Sequence, residues 1–353
     1  MKETVEKVKR VGIREVAKKA GVSIKTVSNV INNFPYVSEE TRKKVWAAVE
    51  ELGYSPVIEG RRLASLKRGN NLRTGNIGCL IFPTYNKYSE PFFAELLEEI
   101  DRVLLEFNLH RYFFHTLEDI RDPSLFIKMI NPNVIDGCVF LGVGERWRED
   151  VINMYKKIEN VVMFIDFIMS DDIASFYPDF FAGGFIATQY LISAGHKKIG
   201  CITSFLEDMP LHYSHSSGYR KALEEVGIRY NEGLVEEGMY SIEGAYEATK
   251  RLVERNPDMT AIFVVSDPMA IGVYKALGEM GRRIPEDISV VGFDNIRIGE
   301  HLHPGLTTIG VDKYDMVKAG IKVLIDEIET GKKTGMKVAF PVSLVERGSV
   351  RRL

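Results

Sequence analysis

Cysteine is scarce in this 353-residue chain: Cys79, Cys138 and Cys201 are the only three. Each sits inside an apolar run, "IGCLIF", "DGCVFL" or "IGCITS", and they stand roughly sixty residues apart. Neither a paired metal motif nor a disulfide framework fits that spacing, so all three are expected to be small buried hydrophobes. Long apolar runs are missing too. No stretch approaches the roughly eighteen consecutive apolar residues of a membrane span, and the first twenty residues carry charges instead of a signal peptide's apolar core. A cytoplasmic location is therefore expected.

A Walker loop, a G-x-S-x-G elbow and a kinase signature are all lacking, so no enzymatic activity and no cofactor are expected. The pairs His212/His215 and His301/His303 have no company of carboxylates and thiols that would complete a metal site. His196, after Gly195 and before Lys197 and Lys198, reads as a cation at a helix end.

Charge is present but unevenly distributed. The chain carries a net −3, yet residues 1–68 hold 15 Lys/Arg against 8 Asp/Glu, a balance of +7, and the remainder is at −10. A basic head on an acidic body points to a polyanionic partner for the head alone.

Within that head, "IREVAKKA" at 13–20 spaces Ile13, Val16, Ala17 and Ala20 as one helix face. Gly21 then breaks it, and Ser23 is placed to cap a second helix near Thr26. A third helix begins at Ser38, with Glu39 and Glu40 in its first turn and Val45, Val49 and Leu52 as its apolar stripe. A helix, a glycine turn and a capped second helix in a basic segment match the helix-turn-helix plan, whose second helix enters a major groove. Ile24, Lys25 and Asn29 could then reach base edges while Val27, Val30 and Ile31 face the core. The same helices also suit a hairpin that merely packs on another element.

Residues 56–75, "PVIEGRRLASLKRGNNLRTG", read as a marginal helix and a linker. From Ile77 the pattern turns to buried strands, "IGCLIF", "RYFFH", "DGCVFL", "VVMFID", "KIGCIT", "AIFVV" and "ISVVGF", alternating with amphipathic helices. In the first of these helices Phe93, Leu96, Leu97, Ile100, Leu104 and Phe107 share one face. The expected fold class is α/β, with parallel sheets in two subdomains behind a small all-α head.

Together, "IREVAKKAGVSIKTVSNVINN", "VSEETRKKVWAAVEELGYSP", "PFFAELLEEI", "LISAGHKKIG", "GYRKALEEVGI", "SDPMAIGVYKAL", "IPEDISVVGFDN" and "PGLTTI" resemble the LacI family of bacterial transcription regulators over nearly the whole chain. The resemblance implies a helix-turn-helix head at 1–55, a hinge helix and linker at 56–75, and a body like periplasmic sugar-binding proteins. That body divides into an N-terminal subdomain, 76–178 with 311–337, and a C-terminal one, 179–310 with 338–353. It also implies a homodimer on a near-palindromic operator. Ile24, Lys25 and Asn29 occupy the family's base-reading positions, and Thr26, Ser28 and Asn32 those nearing the DNA backbone; Arg14 and Ser23 complete the set in the head. Asn29 stands where Arg is frequent, and Asn suits adenine as Arg suits guanine. Gly12 replaces a capping Thr, so the first helix should start on a weaker cap. Arg61, Arg62 and Leu63 match the hinge, whose Leu wedges into the minor groove; the alternative is that Leu63 anchors the hinge on the body. Val57 and Gly60 depart from the hinge pattern.

For the body the resemblance implies effector contacts from Phe92, Phe93, Asp166, Asp179, His215, Tyr240, Ser266 and Asp294. Rings covering apolar faces beside carboxylates that accept hydroxyl hydrogens suit a sugar or sugar derivative. His215 replaces an Arg, Ser266 an Asn and Phe180 an Asn, which removes polar reach from the pocket. Core packing is the competing role for Phe93 and Tyr240. The expected function is a ligand-responsive regulator, a repressor by family pattern; the alternative is a solute-binding module with a helical docking piece. Nothing through "VERGSVRRL" offers a heptad repeat, so a dimer is the expected assembly.

Overall fold

The computed structural model describes residues 12–31, 37–52, 54, 74–81, 91–116, 131, 134–142, 161–165 (backbone only), 173–204 and 214–353. Its head is three helices: α1 (Ile13–Ala20), α2 (Ile24–Ile31) and α3 (Glu39–Leu52). Gly21 ends α1 at φ 66°, a left-handed conformation that suits a residue without Cβ, and its N–H closes on the Ala17 carbonyl. Val16, Ala17, Val27, Val30, Val45, Ala48 and Val49 form the head's core, flanked by Ile13, Val22, Ile31, Trp46 and Leu52. Ser38 accepts the N–H of Thr41 at 3.3 Å and so starts α3. At the start of α1, Gly12 has no side chain to offer, and Glu15 Oε2 instead accepts the Gly12 N–H at 2.9 Å. This satisfies one donor of the two that a full capping box would cover.

The body is built on two six-stranded sheets. Its elements run β1 (Asn76–Ile81), α4 (Pro91–Glu106), β2 (His110–Thr116), β3 (Gly137–Leu141), β4 (Val161–Ile165), β5 (Ala174–Pro178), α5 (Phe180–Ser193), β6 (Ile199–Thr203), α6 (His215–Glu225), β7 (Val235–Glu237), α7 (Ile242–Arg255), β8 (Ala261–Val264), α8 (Asp267–Glu279), β9 (Ser289–Phe293), α9 (Arg297–Glu300), β10 (Thr307–Val311), α10 (Lys313–Thr330), β11 (Lys337–Phe340) and β12 (Val342–Val345). The first sheet has the order β11-β5-β4-β3-β1-β2 and the second β12-β10-β9-β8-β6-β7. Among the described residues every strand pairing is parallel except β10 with β12. Strands β3, β6, β8 and β9 are buried along their whole length, as expected of parallel strands covered on both faces.

Each sheet carries its own core. Ile77, Leu96, Ile100, Leu104, Val139, Phe176 and Leu324 belong to the first, and Leu191, Ile202, Tyr219, Leu252, Phe263, Val290 and Phe293 to the second. The chain passes from the first lobe to the second after β5 and returns after β10, because α10 packs against α4, β4 and β5. The final crossing corrects one expectation. The family resemblance places residues 338–340 in the C-terminal subdomain, yet β11 pairs in parallel with β5 in the first sheet. The last passage between lobes is therefore at Pro341, between two strands in direct succession, where no helix or polar loop marks it in the sequence.

Candidate nucleic-acid interface and effector cleft

Ser23 Oγ accepts the Thr26 N–H at 3.0 Å and lies 2.8 Å from Thr26 Oγ1, so the second helix begins on the cap its sequence specifies. From there the periodicity sorts the side chains. Val27 and Val30 are buried, while Ile24 and Lys25 are exposed and Thr26, Ser28 and Asn29 partly so. Ile24 is 46% exposed, so an apolar side chain stands outward at the start of the helix. Arg14 and Ser23 are also exposed. Asn32, Arg61 and Leu63, with the rest of the expected hinge, lie outside the described residues.

In the body, the candidate effector residues collect at the carboxyl ends of the strands, where open parallel sheets place their crevices. Phe92 and Phe93 lie in the first turn of α4 with their rings edge to face at 5.5 Å. Phe93 lies against Gly142 just past β3, where an added Cβ would come within 2.5 Å of its ring. Lys313 Nζ stands 5.6 Å from the centre of the Phe92 ring. Asp166 lies outside the described residues.

Asp179 is the N-cap of α5, and its Oδ1 accepts the Ala182 N–H at 2.9 Å, so part of its acceptor capacity is already used. His215 opens α6 and is 5% exposed. Its imidazole stands 4.8 Å from Phe180, 4.5 Å from Phe293 and 6.5 Å from Phe263 between ring centres. Nε2 is buried with no hydrogen-bond partner among the described residues. That apolar enclosure pushes its pKa down to about 3, so the ring is neutral at physiological pH.

Ser266 is buried at the N-cap of α8 beside the Asp294 carboxylate, where its side chain and the Asp267 backbone favour the anion. Asp294 adopts φ 110° and Asn295 φ 49°, so two consecutive non-glycine residues hold a left-handed turn beyond β9. Burial, and then the neighbouring Asp267, push the Asp294 carboxyl well above the usual carboxylate range. Tyr240, at φ 47°, is half-buried against the core of the second lobe, the packing role that competed for it. The structure thus joins Ser266 with Asp294 and places His215 among Phe180 and Phe293.

Several residues at this site were not singled out from the sequence. Asp267 is 1% exposed, accepts the Thr308 hydroxyl at 2.7 Å and the Ile296 N–H at 3.0 Å, and has its pKa raised to about 7 by burial. Its place directly after Ser266 in "SDP" was the available signal. Glu95 and Lys313, described below, had none, because each reads as a charge on an amphipathic helix. His196 is a correction: it is fully buried, bonds Thr260 Oγ1 through Nδ1 and the Arg351 carbonyl through Nε2, and has its pKa lowered by burial. It is a neutral core residue and not a helix-end cation. The three cysteines are fully buried as expected, with the Cys79 thiol pushed up to about 12.

Comparison with known proteins accounts for both halves of this arrangement. Residues 12–57 match the family described as "Bacterial regulatory proteins, lacI family", and residues 188–350 match "Periplasmic binding protein-like domain". The HTH-type transcriptional repressor PurR of Klebsiella pneumoniae is 33% identical over 341 residues, covering 96% of either chain. The chain belongs to the LacI family. As a member it is a DNA-binding transcription regulator, not an enzyme, with a small-molecule-binding body. Among solved structures, a complex of the transcriptional regulator CelR with cellobiose is 28% identical with a TM-score of 0.72, covering 96% of this chain and all of that one. The lac repressor dimer bound to operator and the anti-inducer ONPF is 25% identical with a TM-score of 0.65, covering 97% and 100%. No described helix is long and apolar enough to cross a membrane.

Proposed function

We propose that this LacI-family protein is a cytoplasmic repressor that grips a near-palindromic operator as a homodimer, with α2 reading each half-site. The observation that carries this is the sorting of α2: Val27 and Val30 are buried while Ile24 and Lys25 face outward from a helix start capped by Ser23. Ile24, Lys25 and Asn29 read base edges, whereas Arg14, Ser23, Thr26, Ser28 and Asn32 approach the phosphates. Arg61 and Leu63 belong to the hinge, with Leu63 as the minor-groove wedge.

The effector is an uncharged sugar or sugar derivative held between the lobes. Phe92 and Phe93 from one lobe and Phe180 and His215 from the other supply ring faces, with Phe293 buried behind His215. Asp166, Asp179, Ser266 and Asp294 supply the polar contacts, and Tyr240 a phenol at the rim. The similarity to a cellobiose-bound regulator supports this class of ligand. Closure of the lobes on the ligand alters the spacing of the paired hinges and shifts the population able to bind DNA.

Gel shifts with genomic fragments test the DNA half: sequence-selective binding that weakens steeply with salt is expected, and its absence at low salt removes the proposal. A thermal-shift screen of sugars, sugar phosphates and nucleobases tests the other half. A true effector at 100 times its Kd stabilises by about 2.7 kcal/mol, and a response to nucleobases alone overturns the sugar assignment.

A further inference from the structure

One turn of the second lobe, residues 294–297, is gripped from the first lobe by two opposite charges. Glu95 on α4 is the anion: its Oε1 accepts the Arg297 N–H at 2.7 Å, and its Oε2 lies 3.0 Å from Lys313 Nζ. Lys313, the first residue of α10, is the cation. Its ammonium also donates to the Asp294 carbonyl at 2.9 Å and the Asn295 carbonyl at 3.1 Å, so all three of its protons are used. The two side chains are only 11% and 13% exposed, in a pair shielded from solvent and salt. The neighbouring contact between Arg297 and Glu98 is different, since its partners are 66% and 58% exposed.

The gripped turn is held at positive φ at Asp294 and Asn295. A conformation disfavoured for most residues persists where surrounding bonds fix it: the Asp294 N–H bonds the Ile309 carbonyl, the Ile296 N–H bonds Asp267 and Arg347 bonds Asn295 Oδ1 within the second lobe, and Lys313 and Glu95 add bonds from outside it. Any ligand that pulls on Asp294 therefore also acts on this contact between the lobes.

We propose that the Glu95–Lys313 pair is an interlobe latch, which holds the two lobes together and at the same time fixes the turn bearing Asp294. Placing Asp294 in the effector site rests on the function proposed above; the latch itself does not. Two states of the lobes that differ in whether these bonds exist would be separated by them, and an effector able to favour one state would work through this pair.

The test measures lobe separation in the full chain without DNA or ligand. Cysteines introduced at Asp326 on α10 and Val226 beyond α6, both exposed, take spin labels, while the three native cysteines are fully buried. Labelled chain is diluted into unlabelled chain to suppress signals between protomers. Glu95→Ala should shift the distance distribution to longer values and broaden it, and Glu95→Gln should do so partially, since an amide oxygen still accepts the Arg297 N–H. Glu98→Ala should match the parent because its pair is solvated. Deuterium exchange of the peptide spanning 293–299 should accelerate in Glu95→Ala. If Glu95→Ala does not fold, Lys313→Met removes the cation with little loss of volume and carries the same expectations. A parental distance distribution in a folded variant overturns the latch, and unchanged exchange overturns its hold on the turn. A failed operator screen would sink the proposed function and leave these outcomes untouched.

Discussion

The imidazole of His215 meets the ring of Phe293 edge to face at 4.5 Å, with Phe180 at 4.8 Å on another side. A histidine so enclosed cannot be hydrated when charged, which is why its pKa falls to about 3 from the ordinary 6.5. Between pH 3 and 6.5 the unfolded chain then binds a proton at this residue that the folded chain does not. The resulting contribution to stability is complete above pH 6.5 and is lost as pH falls through the window, at up to about 1.4 kcal/mol per pH unit. His215→Phe keeps a ring in the cage and does not titrate. Denaturant unfolding from pH 7 to 4 should show a shallower loss in that variant, with the remaining slope shared by His196, whose pKa is also lowered.

Asp267 acts with the opposite sign. Burial raises its pKa to about 7 from 3.8, against bonds from Thr308 and Ile296 that favour the anion. The folded state binds the extra proton between those values, so stability from this group is greatest at low pH and declines as pH rises through 7. Asp267→Asn mimics the protonated acid, since its amide oxygen can accept the Ile296 N–H while its NH2 donates to the Thr308 hydroxyl, so it should be close to the parent at pH 5 and show a flatter decline from pH 5 to 8. An unaltered slope would mean that Asp267 is already ionised across that range.

Gly184 and Gly218 let α5 and α6 cross at near backbone contact. A Cβ at Gly184 would stand 2.1 Å from the His215 carbonyl oxygen, and one at Gly218 the same distance from that of Phe181. Backbone cannot rotate aside as a side chain can, so Gly184→Ala should cost roughly 1–3 kcal/mol of stability or more. Because the displaced residue is His215, the same substitution should weaken effector binding in a thermal-shift titration. A control at the exposed helical Gly278, where a Cβ meets nothing within 4 Å among the described residues, should leave effector binding near the parent's and lose no stability, gaining up to about 1 kcal/mol.

Local signals made much of this legible in sequence. The valines of the head, the cap at Ser23 and the seven apolar strand segments each depend on neighbours a few residues away, and each appears where periodicity placed it. Strands β5, β7, β10, β11 and β12 were not among those segments. β11 and β12 are half-exposed and separated only by Pro341, so neither a buried run nor a turn cluster announces them. The cleft was legible as residue types but not as an arrangement. Nothing near Glu95 in the sequence shows that it faces Arg297, two hundred residues away, and nothing around His196 shows that it is buried against the chain's last residues.

Asn29 is the residue of the recognition helix with the most specific consequence. It lies on the exposed side of α2, one residue before the buried Val30 and two after the buried Val27, so its side chain can extend outward without disturbing the head's core. An amide matches the N6 and N7 edge of adenine, whereas a guanidinium matches O6 and N7 of guanine, and a good bidentate pair discriminates by about 1–3 kcal/mol. Selection of binding sites from a random duplex pool should therefore return half-sites with adenine opposite Asn29. Asn29→Arg should move that single position to guanine, while positions read by Ile24 and Lys25 stay the same. The salt dependence should steepen only slightly, by up to the one phosphate contact an added cation can make. Identical half-sites from parent and variant would show that Asn29 does not read a base, and the assignment of base contacts along α2 would then have to rest on Ile24 and Lys25 alone.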